Sequence, residues 1–89
     1  MIERELAVSN RLGLHARASA KLVQVLSGFR CSATLAAKGR EVNAKSIMGV
    51  MLLAAGPGTT VLLRVDGEEE AAAMAAGAEL FERKFDEED

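Results

Sequence analysis

The sequence predicts an α+β fold, a two-layer sandwich in which helices pack on one face of a four-stranded antiparallel sheet. Four segments alternate apolar and polar residues and three have apolar residues at helical spacing, in the order β-α-β-β-α-β-α. The connections between these segments are short, which favours an antiparallel sheet. The chain has 89 residues, 49% of them hydrophobic and 27% charged, so we expect a single domain over residues 1–89 with one core.

The first half of the chain is predicted to form a strand, a helix and a hairpin. Residues 2–8 alternate loosely, as in a half-buried strand. From Ala16 to Ser27 apolar residues recur at helical spacing, and Gly28 stands where a C′ glycine ends a helix. Residues 31–37 form the second strand, and a Lys-Gly turn leads into a short third strand over 40–43.

The second half is predicted to form a short helix, a strand and a long helix. Ser46 is the expected N-cap of a helix over residues 47–53, which a Gly-Pro-Gly sequence at 56–58 ends. Residues 60–65 alternate as a fourth strand, and an acidic run then suits the N-terminus of a third helix. The apolar residues of that helix are Met74, Ala78, Phe81 and Phe85.

Composition and charge exclude several classes of function. With one cysteine and one histidine, the chain can form no internal disulfide and has almost no metal ligands, so we expect neither a metal nor another cofactor. Cys31 is interpreted as a small buried hydrophobic residue. Binding to nucleic acid is not expected, because the net charge of −2 gives no basic excess and the 3% of aromatic residues provide no platform for base stacking.

The charge is divided unevenly along the chain. Residues 1–45 hold eight Lys and Arg against three Glu, a net charge of +5, whereas residues 46–89 hold three against ten acidic residues, a net charge of −7. The basic half is either a docking face for an acidic partner or a solvated surface, and the acidic end over 86–89 is expected to be a solvated tail.

No targeting or membrane segment is apparent. The N-terminus is charged and has no hydrophobic run of signal-peptide length. The longest apolar stretch, Ile47–Gly56, spans ten residues, about half of what a membrane crossing needs. We therefore expect a cytoplasmic protein that does not insert into membranes.

The most informative residue is His15, in the sequence Gly-Leu-His-Ala-Arg at the start of the first predicted helix. The first amides of a helix lack intrahelical acceptors and carry partial positive charge, which makes this end suitable for an anion. A neutral imidazole has a lone pair for nucleophilic attack, and Arg17 is close enough to contact a phosphoryl group on it. A histidine at a helix start is more often a cap or a surface residue, so these residues alone leave the role open.

Two motifs together resemble the HPr family of histidine-containing phosphocarrier proteins, from the bacterial phosphoenolpyruvate-dependent sugar phosphotransferase system. They are Gly-Leu-His-Ala-Arg-Ala over 13–18 and Asn-Ala-Lys-Ser-Ile-Met-Gly over 43–49, and the likeness extends over essentially the whole chain. The resemblance implies an open-faced β-sandwich with strand order 1-4-2-3. One departure is Ala18, where many family members have proline; alanine restores a backbone N–H in the first turn of the helix.

The resemblance implies a phosphoryl carrier and not a stand-alone catalyst. Enzyme I would phosphorylate His15 on Nδ1, and the phosphoryl group would then pass to the IIA domain of a sugar permease. Arg17 would contact that group, with the amides of Ala16, Arg17 and Ala18 completing the phosphate site. We expect a monomer. Two alternatives are a carrier in the paralogous nitrogen-related regulatory chain and a pure interaction module, and the presence of His15 with Arg17 argues against the module.

The second motif adds a regulatory site and a docking surface. In many members of the family a dedicated ATP-dependent kinase phosphorylates the serine that matches Ser46; otherwise this serine is a simple N-cap, and the sequence leaves both open. A short helix buries one stripe, which Val50, Leu53 and Ala54 could fill. Three further residues are then either core or an exposed docking patch, and the resemblance favours the patch: Ile47, Met48 and Met51.

Overall fold

The computed structural model describes residues 1–87 and consists of a four-stranded antiparallel sheet with three helices on one face. The sheet has the order β1-β4-β2-β3, so the α+β open-faced sandwich expected from the sequence and the resemblance is confirmed. The elements are β1 (Ile2–Ala7), α1 (Ala16–Ser27), β2 (Ser32–Ala37), β3 (Arg40–Asn43), α2 (Ile47–Leu52), β4 (Thr60–Asp66), α3 (Glu70–Glu82) and a single 3₁₀ turn (Lys84–Asp86).

The register of the sheet places one apolar face towards the helices. In β4, alternate side chains Val61, Leu63 and Val65 are buried, and Leu63 lies opposite both Arg4 of β1 and Leu35 of β2. The other face is polar and open, as shown by the ion pair between Arg64 and Glu3 across β1 and β4. Alternation with period 2 therefore separates core from surface in this sheet.

The helices cover the apolar face through narrow stripes of side chains. Ala18, Leu22 and Leu26 of α1 are fully buried at spacings of four residues. In α3 a glycine allows close approach: a Cβ on Gly77 would lie 3.0 Å from Leu63 Cδ2. The helices therefore lie directly on the sheet. Within residues 1–87, no helix is long and apolar enough to cross a membrane.

Two predicted helix ends differ from the structure. Gly28 ends α1, but as a C-cap in right-handed conformation (φ −78°), so the helix needs no left-handed glycine at this point. The third helix was predicted to continue to Phe85, but it ends at Glu82. Three residues at positive φ follow and turn the chain back over the sandwich: Lys84 (54°), Phe85 (56°) and Asp86 (61°).

Phe85 belongs to the core although it lies outside the helix. Its side chain is fully buried and packs edge-to-face on Phe81, with ring centroids 4.9 Å apart. The helical spacing therefore predicted its burial correctly and its backbone wrongly. Cys31 is half-buried and packs against the edge of the core, so it is less enclosed than expected.

Candidate functional site

His15 is the N-cap residue of α1, as its position in the sequence indicated. Its backbone is extended (φ −79°, ψ −176°), and the ring Nδ1 accepts a hydrogen bond of 3.3 Å from the backbone N–H of Arg17. A side chain that accepts from the second amide of a helix is the usual N-cap arrangement. Nδ1 therefore presents its lone pair towards the amides of the first turn of α1.

The loop before α1 fixes this geometry. Gly13 adopts a left-handed conformation (φ 66°), and a Cβ at this position would lie 2.5 Å from the carbonyl oxygen of Ala55. The next residue, Leu14, is buried and donates its N–H to the same carbonyl at 2.9 Å. A glycine is thus required two residues before His15, because the loop passes against the segment that follows α2.

The structure brings the predicted phosphate-binding residues together at one end of α1. Ala16 and Ala18 lie in the first turn, where backbone N–H groups have no intrahelical acceptor. The side chain of Ala18 is fully buried, so only its amide is available to a ligand. The exposed Arg17 lines the same surface groove as His15 and Lys21. Arg17 and Lys21 therefore lie near the helix end on which an anion would bind, and the acidic Asp86 and Glu87 line the same groove.

The acidic end of the chain also lies at this site. The prediction of a solvated tail is wrong for Glu87, whose side chain is 13% exposed and whose Oε2 contacts Nε2 of His15. Its other oxygen, Oε1, accepts a hydrogen bond of 3.0 Å from Asn10 Nδ2. Glu88 and Asp89 lie outside the described residues.

Hydrogen bonding keeps Glu87 in its charged form. The bond from Asn10 is the main cause that lowers the pKa of the Glu87 carboxyl, with the contact to His15 and the charge of Arg17 acting in the same direction. An ionised carboxylate has only acceptors, so the Nε2 atom that faces it carries the ring proton. The hydrogen-bond network therefore assigns the Nε2–H tautomer to His15 and leaves Nδ1 as the nucleophilic nitrogen.

Sequence reasoning missed Glu87 and Asn10. The contact between His15 and Glu87 joins residues 72 positions apart, and Asn10 lies in a loop with no helical or strand periodicity. Asn10 is fully buried, and its Nδ2 also donates to the Gly13 carbonyl at 2.8 Å. No pattern in the sequence marks either residue, because the burial of Asn10 and its contact with Glu87 arise only in the folded chain.

The second motif forms the N-terminus of α2. Ser46 caps the helix, and its Oγ accepts the N–H of Gly49 at 3.1 Å. Val50 and Leu53 are buried as predicted, but Ala54 is exposed and Ala55 takes its place in the core. Ala54 leaves the stripe because the helix has already ended at Leu52 and its own φ is positive (53°).

The apolar residues on the outer face of α2 are exposed, so they are not core. The exposed fractions are 44% for Ile47, 70% for Met48 and 44% for Met51. Leu52, at 60%, and Leu12, at 66%, are further exposed apolar residues that the sequence analysis did not name. Leu12 also lines the groove beside His15, and α2 packs on α1. An apolar surface of this kind, bordered by polar groups, is typical of a protein-binding site.

Within residues 1–87, no three His, Cys, Asp or Glu side chains are close enough together to hold a metal ion. The chemical groups at the site are one imidazole, a helix N-terminus, the cationic side chains of Arg17 and Lys21, and the carboxylates of Asp86 and Glu87.

Comparison with known proteins gives consistent matches over nearly the whole chain. A family model described as the PTS HPr component phosphorylation site matches residues 2–83. The phosphocarrier protein HPr of Xylella fastidiosa (strain Temecula1) is 64% identical over 87 residues, which cover 98% of each chain. The crystal structure of HPr-C-His from Thermoanaerobacter tengcongensis superposes with a TM-score of 0.95 at 41% identity and covers 99% of each chain.

A second crystal structure from the same organism bears on the oligomeric state. It is an HPr dimer that superposes with a TM-score of 0.78 at 40% identity, over 98% of this chain and 100% of that one. Some relatives therefore crystallise as dimers, and for this chain the monomer remains a prediction.

Proposed function

Because this chain belongs to the HPr family of phosphocarrier proteins of the phosphotransferase system, we propose that it accepts a phosphoryl group from enzyme I on His15 and passes it to IIA domains of sugar permeases. The protein is a phosphotransfer intermediate and not a catalyst of its own. The observation that carries the proposal is Nδ1 of His15, whose lone pair faces the first amides of α1 while Nε2 holds the proton.

The transfer is a displacement at phosphorus. The Nδ1 lone pair forms a P–N bond while the bond between phosphorus and the donor's leaving atom breaks, and that atom keeps the electron pair. The amides of Ala16 and Ala18 and the Arg17 guanidinium are available to the phosphoryl oxygens, because they surround the helix end that Nδ1 faces. The amide of Arg17, which donates to Nδ1 before transfer, is released to those oxygens as Nδ1 gives its lone pair to phosphorus. In the second transfer a nucleophilic atom of the acceptor bonds to phosphorus while the P–N bond breaks, and the lone pair returns to Nδ1.

The partners would dock on the apolar surface of α2. Ile47, Met48 and Met51 are exposed, and methionine adapts to differently shaped partners because its side chain is flexible and polarizable. One surface of this kind suits a carrier that must contact both a donor and an acceptor. We expect both transfers to take place in the cytoplasm, on a single domain acting as a monomer.

Ser46 is proposed as a regulatory site for a serine kinase and a matching phosphorylase. The hydroxyl caps α2 next to Ile47, so a phosphate on it would place negative charge at the edge of the docking surface. The charge would suit the helix N-terminus but would have to lose its water when a partner binds.

The direct test is phosphorylation in vitro with phosphoenolpyruvate and enzyme I. Wild type is expected to form an adduct that is labile to acid and stable to base, and His15→Ala is expected to form none. If His15→Ala still accepts phosphate, the assignment of the site is wrong. Repeating the assay with enzyme I of the nitrogen-related chain, and then with candidate IIA domains, tells which of the two transfer chains this carrier serves.

A further inference from the structure

We propose that Glu87 is a positioning residue for the phosphoryl transfer: its carboxylate holds the Nε2–H of His15, orients the ring and stabilises the positive charge that the ring gains as Nδ1 bonds to phosphorus. This inference rests on the proposed function of His15, but it assigns a role to a residue in the acidic end of the chain. The carboxylate contacts the ring directly and is itself held by Asn10.

The backbone before Glu87 directs this residue to the site. Phe85 anchors the turn after α3, since its side chain is fully buried and its carbonyl accepts a hydrogen bond of 2.7 Å from Lys21 Nζ on α1. Asp86 closes the turn by accepting a hydrogen bond of 3.0 Å from Arg83 Nε. The chain is extended again at Glu87 (φ −89°, ψ 149°), and this residue is therefore delivered to His15 from a turn fixed at three points.

Three left-handed residues in succession are a costly way to end a helix, because each non-glycine residue in this conformation is disfavoured by about 1–2 kcal/mol. The burial of Phe85 against Phe81 offsets part of this cost. This left-handed turn directs the acidic end of the chain back towards the N-terminus of α1.

The carboxylate is held firmly enough to orient a ring. Glu87 Oε1 binds Nδ2 of Asn10, whose side chain is fully buried and is fixed through a second hydrogen bond to the carbonyl of Gly13. Gly13 lies in the loop that carries His15. The same loop therefore positions both the nucleophile and the amide that holds its carboxylate partner.

The position of Glu87 leaves the reacting nitrogen free. The two nitrogens of an imidazole point away from each other, so a carboxylate at Nε2 does not occupy the space of a phosphoryl group at Nδ1. As the P–N bond forms, the electron pair of Nδ1 is shared with phosphorus and the ring becomes positive, while the Nε2 proton remains in place. A carboxylate on that proton stabilises this charge, as the aspartate does for the histidine of a serine protease triad.

The test combines a spectroscopic readout with transfer kinetics. The chain contains one histidine, so the ring signals of ¹⁵N-labelled protein belong to His15 without further assignment. Wild type is expected to show a ring N–H proton on Nε2 that is protected from exchange with water, and Glu87→Ala is expected to lose it. When the protein is the phosphoryl acceptor of enzyme I, Glu87→Ala is expected to lower the kcat of the transfer about tenfold, which is at the low end of effects known for groups that orient a histidine. The KM for the protein is expected to change by less than about twofold.

Glu82→Ala is the matched control, because it removes the same side chain from an exposed glutamate of α3, whose carboxylate lies 4.0 Å from Arg4 and does not line the groove of His15. It is expected to keep both the ring N–H signal and kcat. A kcat for Glu87→Ala equal to or above that of wild type overturns the proposal, as does an unchanged ring N–H signal. The spectrum is recorded without enzyme I, so it distinguishes this outcome from failure of His15 as the phosphorylation site.

Discussion

Met48 is an apolar residue with a highly exposed side chain. A methionine is usually buried, yet Met48 is 70% exposed on α2, which also exposes Ile47 and Met51. We expect Met48→Asp to weaken binding to enzyme I by about 2 kcal/mol or more, because a charge at the centre of an interface loses its water without gaining a partner. Titration calorimetry measures the binding, and thermal melts measure the fold.

The control is Ala72→Asp, which places the same charge on the exposed side of α3, outside the docking surface. Both variants are expected to melt close to wild type, and only Met48→Asp is expected to lose affinity. A large fall in the melting temperature of Met48→Asp would contradict the exposed position of this side chain. Equal affinities of the two variants would exclude Met48 from the interface.

His15 and Glu87 show which parts of a site the sequence predicts. His15, Arg17 and Ser46 could be proposed from the sequence because their signals are local: a histidine or a serine just before a helical pattern, and an arginine in the first turn, within two motifs that resemble a known family. Glu87 was interpreted as part of a solvated tail because the residues next to it in the sequence give no sign of a contact with His15, 72 residues away. A contact between residues so far apart in the sequence depends on the path of the backbone. Here that path includes a left-handed turn at Lys84, Phe85 and Asp86, and no glycine at these positions indicates it in the sequence.

The elements themselves were predicted well where hydrophobic periodicity determines them. The strands and α1 have the predicted bounds within one residue. The end of α3 was wrong because periodicity reports which side chains are buried and not which backbone carries them: Phe85 reaches the core beside Phe81 from a turn as well as it would from a helix. Local propensity therefore predicts the start of a helix with its cap better than an end that tertiary packing determines.

At the scale of the elements, the stability of the short helix α2 is expected to depend on its N-cap, Ser46. Ser46→Ala removes the acceptor for the N–H of Gly49 and is expected to destabilise the fold by about 1 kcal/mol. Ser46→Asp keeps an acceptor and adds negative charge at a helix N-terminus, so its stability is expected to equal or slightly exceed that of wild type. If partners dock beside Ile47, Ser46→Asp will nevertheless slow the phosphorylation of His15, because the charge must be desolvated.

Steady-state transfer rates at low and high salt, together with urea unfolding of all three proteins, test this prediction. Ser46→Ala serves as the control, since it loses the cap without adding charge. Equal transfer rates for Ser46→Asp and wild type at low salt, where electrostatic repulsion is least screened, would mean that Ser46 is only a cap.

At the scale of the whole molecule, two glutamates fasten the two ends of the described chain. Glu70, in the first turn of α3, accepts the backbone N–H of Gly67 at 3.0 Å and binds the amino group of Met1 at 3.1 Å. Glu87 joins the last turn to the loop of His15 through Asn10. The pKa of Glu70 is lowered mainly by the Gly67 hydrogen bond and then by the Met1 amino group, and that of Glu87 mainly by Asn10.

These shifts predict how stability depends on pH. A carboxyl whose pKa is lower in the folded than in the unfolded chain stabilises the fold fully above the unfolded value, about 4.5, and ceases to do so as the pH falls through the folded value. We therefore expect the urea midpoint to fall as the pH is lowered below about 4.5, and to fall less steeply in Glu70→Gln and Glu87→Gln, which have no proton to take up. Glu68→Gln is the matched control, because this exposed glutamate only pairs loosely with Arg30, at 3.6 Å. If all three variants lose stability in acid as steeply as wild type, the two glutamates do not fasten the chain ends, and the pH dependence arises from other carboxylates.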